Sequence, residues 1–259
     1  MFNIPNLFTA FNMLSGCAAI ILAFAGRIDL APFAIFAGAF FDFLDGFLAR
    51  KLKVSGEMGK QLDSLADMVT FGVAPGLIML IMLIAVNFHL SSGRPVDVWI
   101  NALLDGEWKA LYPLIALLIP FFSIFRLAKF NLDTRQTESF IGLPTPANTL
   151  FFMSFPLVAV YGSTESEVMS GINDFMFHPI TMGAFIIVMS LLLVSEIPLF
   201  SLKFKTFGIK GNEIRYVFLL ISLTFIIIFK VWALALIVFL YLVLSIIENF
   251  VLKTKKDEI

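Results

Sequence analysis

Charge is scarce in this chain. Asp, Glu, Lys and Arg make up 14% of 259 residues and nearly cancel, leaving a net charge of −1. That balance gives no basic footprint for nucleic acid. Cysteine is rarer still. Cys17 stands alone among small apolar residues, so no intrachain disulfide forms and the side chain reads as a buried, inert thiol. Only two histidines occur, His89 and His178. No P-loop, glycine-rich dinucleotide fingerprint or cysteine-rich metal pattern appears. The N-terminus has no positively charged segment and no small-residue cleavage site, so the first apolar run reads as a retained helix rather than a signal peptide.

What fills the chain instead is apolar surface. It is 59% hydrophobic, against about 45–50% in soluble proteins, with a mean hydropathy of +0.95. This composition is that of an all-α integral membrane protein. A membrane-spanning helix needs roughly 20 mainly apolar residues, and eight runs approach that length: 7–26, 30–49, 62–87, 110–129, 147–162, 180–200, 216–230 and 232–251. The connections are brief. The expectation is a single membrane domain over residues 1–259, a bundle of about eight helices, with a core over about 1–162 and additional helices over about 180–251. The 31 Phe residues are spread through these runs and are expected to face lipid or pack helices.

Orientation follows from the cations, which concentrate on the cytoplasmic side of membrane proteins. With the N-terminus inside, all but Arg27, Arg94, Lys109 and Lys230 of the 18 Lys and Arg residues fall on the inner side. Trp99, Trp108 and Trp232 fall at the outer boundary, as an aromatic belt does. Both termini are then cytoplasmic. His89 and His178 lie outside, which removes a Ser-His or Cys-His nucleophile from the inner face.

The inner face holds the most informative stretch. Asp42-Phe-Leu-Asp45-Gly46-Phe-Leu-Ala49-Arg50 is followed by Gly59, Asp63 and Asp67. Residues three or four apart share a helix face. Asp42 and Asp45 therefore project together from one helix, and Gly59, Asp63 and Asp67 line up on a second, with Lys51–Met58 as the turn between them. Single acids near helix ends are commonly caps or surface charges. Four of them beside long apolar runs are another matter, because an unpaired acid at bilayer depth costs about 2.5–3.5 kcal/mol on insertion scales. Two divalent cations balance four carboxylates, and hard oxygen ligands suit Mg²⁺ or Mn²⁺.

These residues also carry a resemblance. Asp42, Asp45, Gly46, Ala49, Arg50, Gly59, Asp63 and Asp67 match every position of the CDP-alcohol phosphatidyltransferase signature. The resemblance implies that an alcohol attacks the phosphorus of a CDP-activated lipid and releases CMP. It implies Asp67 as the general base, Gly46 and Ala49 as room for cytidine, and Arg50 and Gly59 as a frame for the nucleotide. It also implies a homodimer.

Three further stretches resemble the phosphatidylserine synthase branch of that family: Ile4–Thr9, Asp63–Pro75, and Phe125–Asn131 with Gly142–Pro146. Ser64 and Met68 stand where the phosphatidylglycerophosphate and cardiolipin relatives usually carry Pro and Lys. The expected substrates are CDP-diacylglycerol and L-serine, in a cell (inner) membrane with the site facing the cytoplasm. Ser64, Arg126, Lys129 and Asn131 are the expected acceptor-binding residues. Arg126, Lys129 and Asn131 read equally well as positive-inside anchors, and the lipid diphosphate is the alternative ligand for them and for Ser64. Glycerol 3-phosphate or an inositol is the alternative acceptor, and a cation transporter using the acids as an ion site is the alternative of another class.

Overall fold

The computed structural model describes residues 3–54, 56–90, 95–133, 139–162, 167–200, 208 and 212–252. The chain is helical nearly throughout. α1 (Ile4–Phe24) starts where Asn3 Oδ1 accepts from the Asn6 N–H at 2.9 Å, and α2 (Ala31–Leu52) ends at Lys53, which sits in the left-handed region at φ 55°. Between them Arg27 and Asp29 form a two-pronged ion pair at 2.9 and 2.7 Å. α3 (Glu57–Asp67) runs into a π-helical turn (Met68–Val73) and then α4 (Ala74–Asn87). The loop between α2 and α3 is shorter than the expected Lys51–Met58, because both helices extend into it.

The π-helical turn has a physical cause. Pro75 has no N–H for the carbonyl of Phe71, four residues earlier, and the Thr149 hydroxyl donates to that carbonyl at 2.8 Å. Small residues then let neighbours close on the turn. A Cβ on Gly16 would lie 2.7 Å from Thr70 Oγ1, and one on Gly38 would lie 2.7 Å from Thr70 Cγ2. α1 and α2 thereby grip the segment that follows Asp67.

α5 (Pro95–Leu104) occupies what the sequence reads as an outer loop; its ten residues are too few to register as a span. A 3₁₀ run (Trp108–Leu117) leads into α6 (Leu118–Leu132), α7 covers Thr145–Tyr161, and α8 (Glu167–Met176) precedes α9 (Pro179–Val194). The sixth expected span stops at Val194 rather than 200, since Pro198 disfavours helix before it. β1 (Ser139–Ile141) and β2 (Pro198–Phe200) pair antiparallel, Phe140 opposite Leu199, a small ribbon inside an otherwise helical protein.

α10 (Glu213–Phe229) and α11 (Ala233–Ile246) meet at Lys230, at φ 50°. The chain doubles back there, because the rings of Phe218 and Tyr241, on either side of the turn, stand 6.0 Å apart. Among the described residues five runs are long and apolar enough to cross a membrane, or six with the bent pair ending at Val194. The chain is a multi-pass membrane protein. The number falls below eight because α7, at 17 residues, is too short to register and α10, the Lys230 turn and α11 register together as one run, Glu213–Asn249. Buried phenylalanines serve packing, as expected: Phe151 makes edge-on contacts with Phe152, Phe155, Phe185 and Phe239 at 5.3–5.7 Å.

The sharpest turn lies just after β1. Gly142 has φ +77°, and a Cβ there would lie 2.7 Å from the Leu193 carbonyl and 2.8 Å from that of Ser195. Gly142→Ala is expected to lower stability by at least the cost of a strained backbone, about 1–3 kcal/mol. Thermal unfolding in detergent checks this, and an unchanged midpoint contradicts the packing around β1.

Candidate active site

The four acids come from two helices, and a third orients them. Carboxylate oxygens of Asp42, Asp63 and Asp67 lie within 4.8 Å of one another. Asp45, one turn along from Asp42, stands beside this group rather than in it. Its side chain is buried and accepts a 2.6 Å hydrogen bond from Thr9 Oγ1. Asn12, fully buried on α1, donates from Nδ2 to Asp67 Oδ1 at 3.1 Å, and its backbone carbonyl accepts from Thr70 Oγ1 at 2.8 Å. One face of α1 thus holds Asp45 and Asp67, while α2 and α3 supply the carboxylates.

Among the described residues no Lys or Arg forms an ion pair with any of the four acids. A cluster of carboxylates without protein cations is an all-oxygen, hard donor set of the kind that Mg²⁺ or Mn²⁺ takes. The residues fit a divalent-metal centre.

A cavity of about 310 Å³ opens beside them. Asp45 and Asp63 form part of its wall, and Gly46, Ala49, Arg50 and Gly59 line it as well. All four residues expected to frame the nucleotide therefore meet in one space. A Cβ on Gly46 would come no nearer than 3.4 Å to Arg50 Nη1, and one on Gly59 no nearer than 3.5 Å to Asn6 Oδ1. Protein packing does not demand glycine at these positions; a side chain would instead take volume from the cavity. A larger cavity, about 860 Å³, lies at the far end of α1 and α4 among apolar residues such as Ile28, Met82 and Val96, away from the acids.

The expected acceptor residues divide. Asn131 Nδ2 donates to Ser64 Oγ at 2.7 Å, and Lys60 Nζ donates to the Asn131 carbonyl at 2.8 Å, so this group ties α3 to α6. Lys129 is ion-paired with Glu196. Arg126 is different. It is 3% exposed, donates from Nε to the Leu143 carbonyl at 3.2 Å, and lies over the Phe130 ring at 5.2 Å. Burial this deep rules out a membrane-surface anchor. A Cβ on Gly72 would lie 3.1 Å from Ser123, and Asn131 bonds Ser64, so the two helices run antiparallel between these points. Arg126 falls on the stretch of α6 that faces the segment carrying Asp67.

Thr9 and Asn12 are absent from the sequence-based site. Their signal is the repeat Asn3, Asn6, Thr9, Asn12, polar residues every third position on an otherwise apolar helix.

Comparison with known proteins agrees with this geometry. Residues 2–243 match the family described as CDP-alcohol phosphatidyltransferase. A Helicobacter pylori protein named CDP-diacylglycerol–serine O-phosphatidyltransferase is 30% identical over 254 residues, covering 97% of this chain and 92% of the relative. A Bacillus subtilis protein of the same name is 35% identical over 143 residues, or 55% of this chain and 69% of the relative. An archaetidylserine synthase from Methanothermobacter thermautotrophicus is 34% identical over 166 residues, 63% of this chain and 61% of the relative. From the signature, the acid cluster and a match over nearly its whole length, the chain belongs to the CDP-alcohol phosphatidyltransferase family.

Proposed function

We propose that this protein is a CDP-diacylglycerol–serine O-phosphatidyltransferase, converting CDP-diacylglycerol and L-serine into phosphatidylserine and CMP. The observation that carries the reading is the convergence of Asp42, Asp63 and Asp67 beside a cavity bounded by Asp45, Gly46, Ala49, Arg50 and Gly59. The names of the relatives support serine as the alcohol.

Asp42, Asp45, Asp63 and Asp67 hold two divalent ions, Mg²⁺ or Mn²⁺, in this reading. Bound there, such ions would supply charge neutralisation at the phosphates and Lewis-acid stabilisation of the transferring group. The chain's own residues do the rest. Gly46 and Ala49 leave space for the cytidine, while Arg50 and Gly59 frame the nucleotide. Asp67 accepts the proton of the serine hydroxyl as its oxygen bonds to the lipid-bearing phosphorus; the bond from that phosphorus to CMP breaks, and CMP leaves. Asn12 keeps the Asp67 carboxylate in place during the transfer. Arg126 receives the serine carboxylate through charge-assisted hydrogen bonds.

The chain forms one membrane domain in this proposal, crossing the cell membrane eight times with both termini and the acid cluster on the cytoplasmic side. Arg50 and Lys60 line the cavity and Lys51 and Lys53 follow Arg50 at the end of α2, whereas Trp99, Asp105, Glu107 and Trp108 lie on α5 and the turn and 3₁₀ run that follow it. A single cysteine replacing Lys53 in a Cys17→Ala background is expected to resist impermeant thiol reagents in intact cells. One replacing Asp105 is expected to label. The reverse pattern overturns the orientation.

Removing the base separates binding from chemistry. Asp67→Asn keeps the shape but loses the proton acceptor, and turnover is expected to fall about 10²–10⁴-fold while CDP-diacylglycerol still binds. Near-normal turnover moves the base elsewhere.

Acceptor choice is tested on the purified protein with CDP-diacylglycerol and L-serine, glycerol 3-phosphate or inositol in parallel. CMP release and lipid product are expected with serine. Faster transfer to either of the other alcohols contradicts the serine assignment but not the reaction class. Ion transport without CMP release contradicts both.

A further inference from the structure

The last apolar helix carries a polar face that the reaction does not otherwise use. Tyr241, Ser245 and Asn249 recur every fourth residue along α11 and the π-helical turn (Ile247–Leu252) that extends it, so they share one side. All three reach β2. The Tyr241 hydroxyl donates to the Phe200 carbonyl at 2.9 Å, Ser245 Oγ accepts from the Phe200 N–H at 3.4 Å, and Asn249 Nδ2 donates to the Pro198 carbonyl at 2.9 Å. Tyr241 and Ser245 are buried, and a hydroxyl in an apolar interior is costly unless it finds a partner. Here the partner is the outer edge of a two-stranded ribbon, where unpaired backbone groups otherwise remain. α11 stands in for a third strand.

The ribbon leads back to the site. β2 pairs with β1, and the chain continues from Ile141 into Gly142, whose N–H donates to the Ile197 carbonyl at 2.9 Å. Leu143 follows, with its N–H on the Leu192 carbonyl at 2.9 Å and its own carbonyl accepting from Arg126 Nε at 3.2 Å. The hydrogen bonds along this path from α11 to the guanidinium all fall on backbone atoms, and the Tyr241 hydroxyl is also within electrostatic range of Arg126.

We propose that α11 is a positioning element for the acceptor side of the site. Tyr241, Ser245 and Asn249 fix β2, the ribbon fixes the Leu143 carbonyl, and that carbonyl sets the direction in which Arg126 presents its guanidinium to the acceptor carboxylate. The inference rests on the reading that Arg126 binds the acceptor. The three residues of α11 are positioning residues; none touches substrate.

The test is steady-state kinetics on the full-length protein in detergent with CDP-diacylglycerol and L-serine. Tyr241→Phe keeps the ring and removes the donor. Its KM for serine is expected to rise roughly threefold to tenfold, the range of one neutral hydrogen bond, with kcat and the KM for CDP-diacylglycerol nearly unchanged. Asn249→Ala, at the half-buried end of the comb, is expected to move serine KM in the same direction, and it serves if Tyr241→Phe fails to fold. In an Arg126→Ala background, Tyr241→Phe is expected to add nothing, because coupled residues are not additive. An equal further rise in that background overturns the proposal. If Arg126→Ala raises serine KM while neither α11 variant does, only the positioning role falls. If Arg126→Ala leaves serine KM unchanged, the acceptor role of Arg126 falls instead.

Discussion

The mutual repulsion of Asp42, Asp45, Asp63 and Asp67 is the constraint around which this protein is arranged. Carboxylate oxygens from three of them approach within 4.8 Å inside a bundle of apolar helices, and no described Lys or Arg pairs with any of the four. Charge of one sign at that density persists only with compensation by cations and hydrogen bonds. The fold supplies the hydrogen bonds from α1, through Thr9 and Asn12. It supplies rigidity through the close approach of α1 and α2 to Thr70, which Gly16 and Gly38 permit. In the proposed reading, divalent ions would complete the balance.

The acids were legible in the sequence because their signal is local. Spacings of three and four place carboxylates on one helix face whatever the rest of the chain does, and Gly46, Ala49, Arg50 and Gly59 sit within the same short stretch. The membrane character was legible from composition alone. The polar repeat of α1 was harder to see, since three or four small polar residues in an apolar run are compatible with a helix that merely tolerates them. Their meaning depends on which neighbour faces them. Contacts across long separations were not legible at all: Asn131 with Ser64, and Lys129 with Glu196, each join residues 67 positions apart. Those pairings give Ser64, Lys129 and Asn131 protein partners, while Arg126 is a buried cation held by the Leu143 carbonyl.

Prolines explain much of the remaining difference. Pro75 accompanies the π-helical turn behind Asp67, and Pro198 ends α9 early and starts β2. Hydropathy registers neither effect, because it averages over a window and ignores the missing N–H. The ribbon that results ties the first half of the chain to the second, at the point where Leu143 meets Arg126. The helices beyond residue 180 thus reach Arg126, the proposed acceptor residue, through hydrogen bonds to the backbone of the ribbon and of Leu143.

The central claim is that the acid cluster holds two divalent ions. It is tested most directly by measuring Mn²⁺ bound per chain on purified protein, after stripping with chelator and re-equilibration, by electron paramagnetic resonance and elemental analysis together. The account predicts two ions per chain in the native protein, with loss of binding in Asp63→Ala and unchanged helical content. Stoichiometric binding that survives Asp63→Ala, or no binding while the stripped protein still releases CMP, contradicts it.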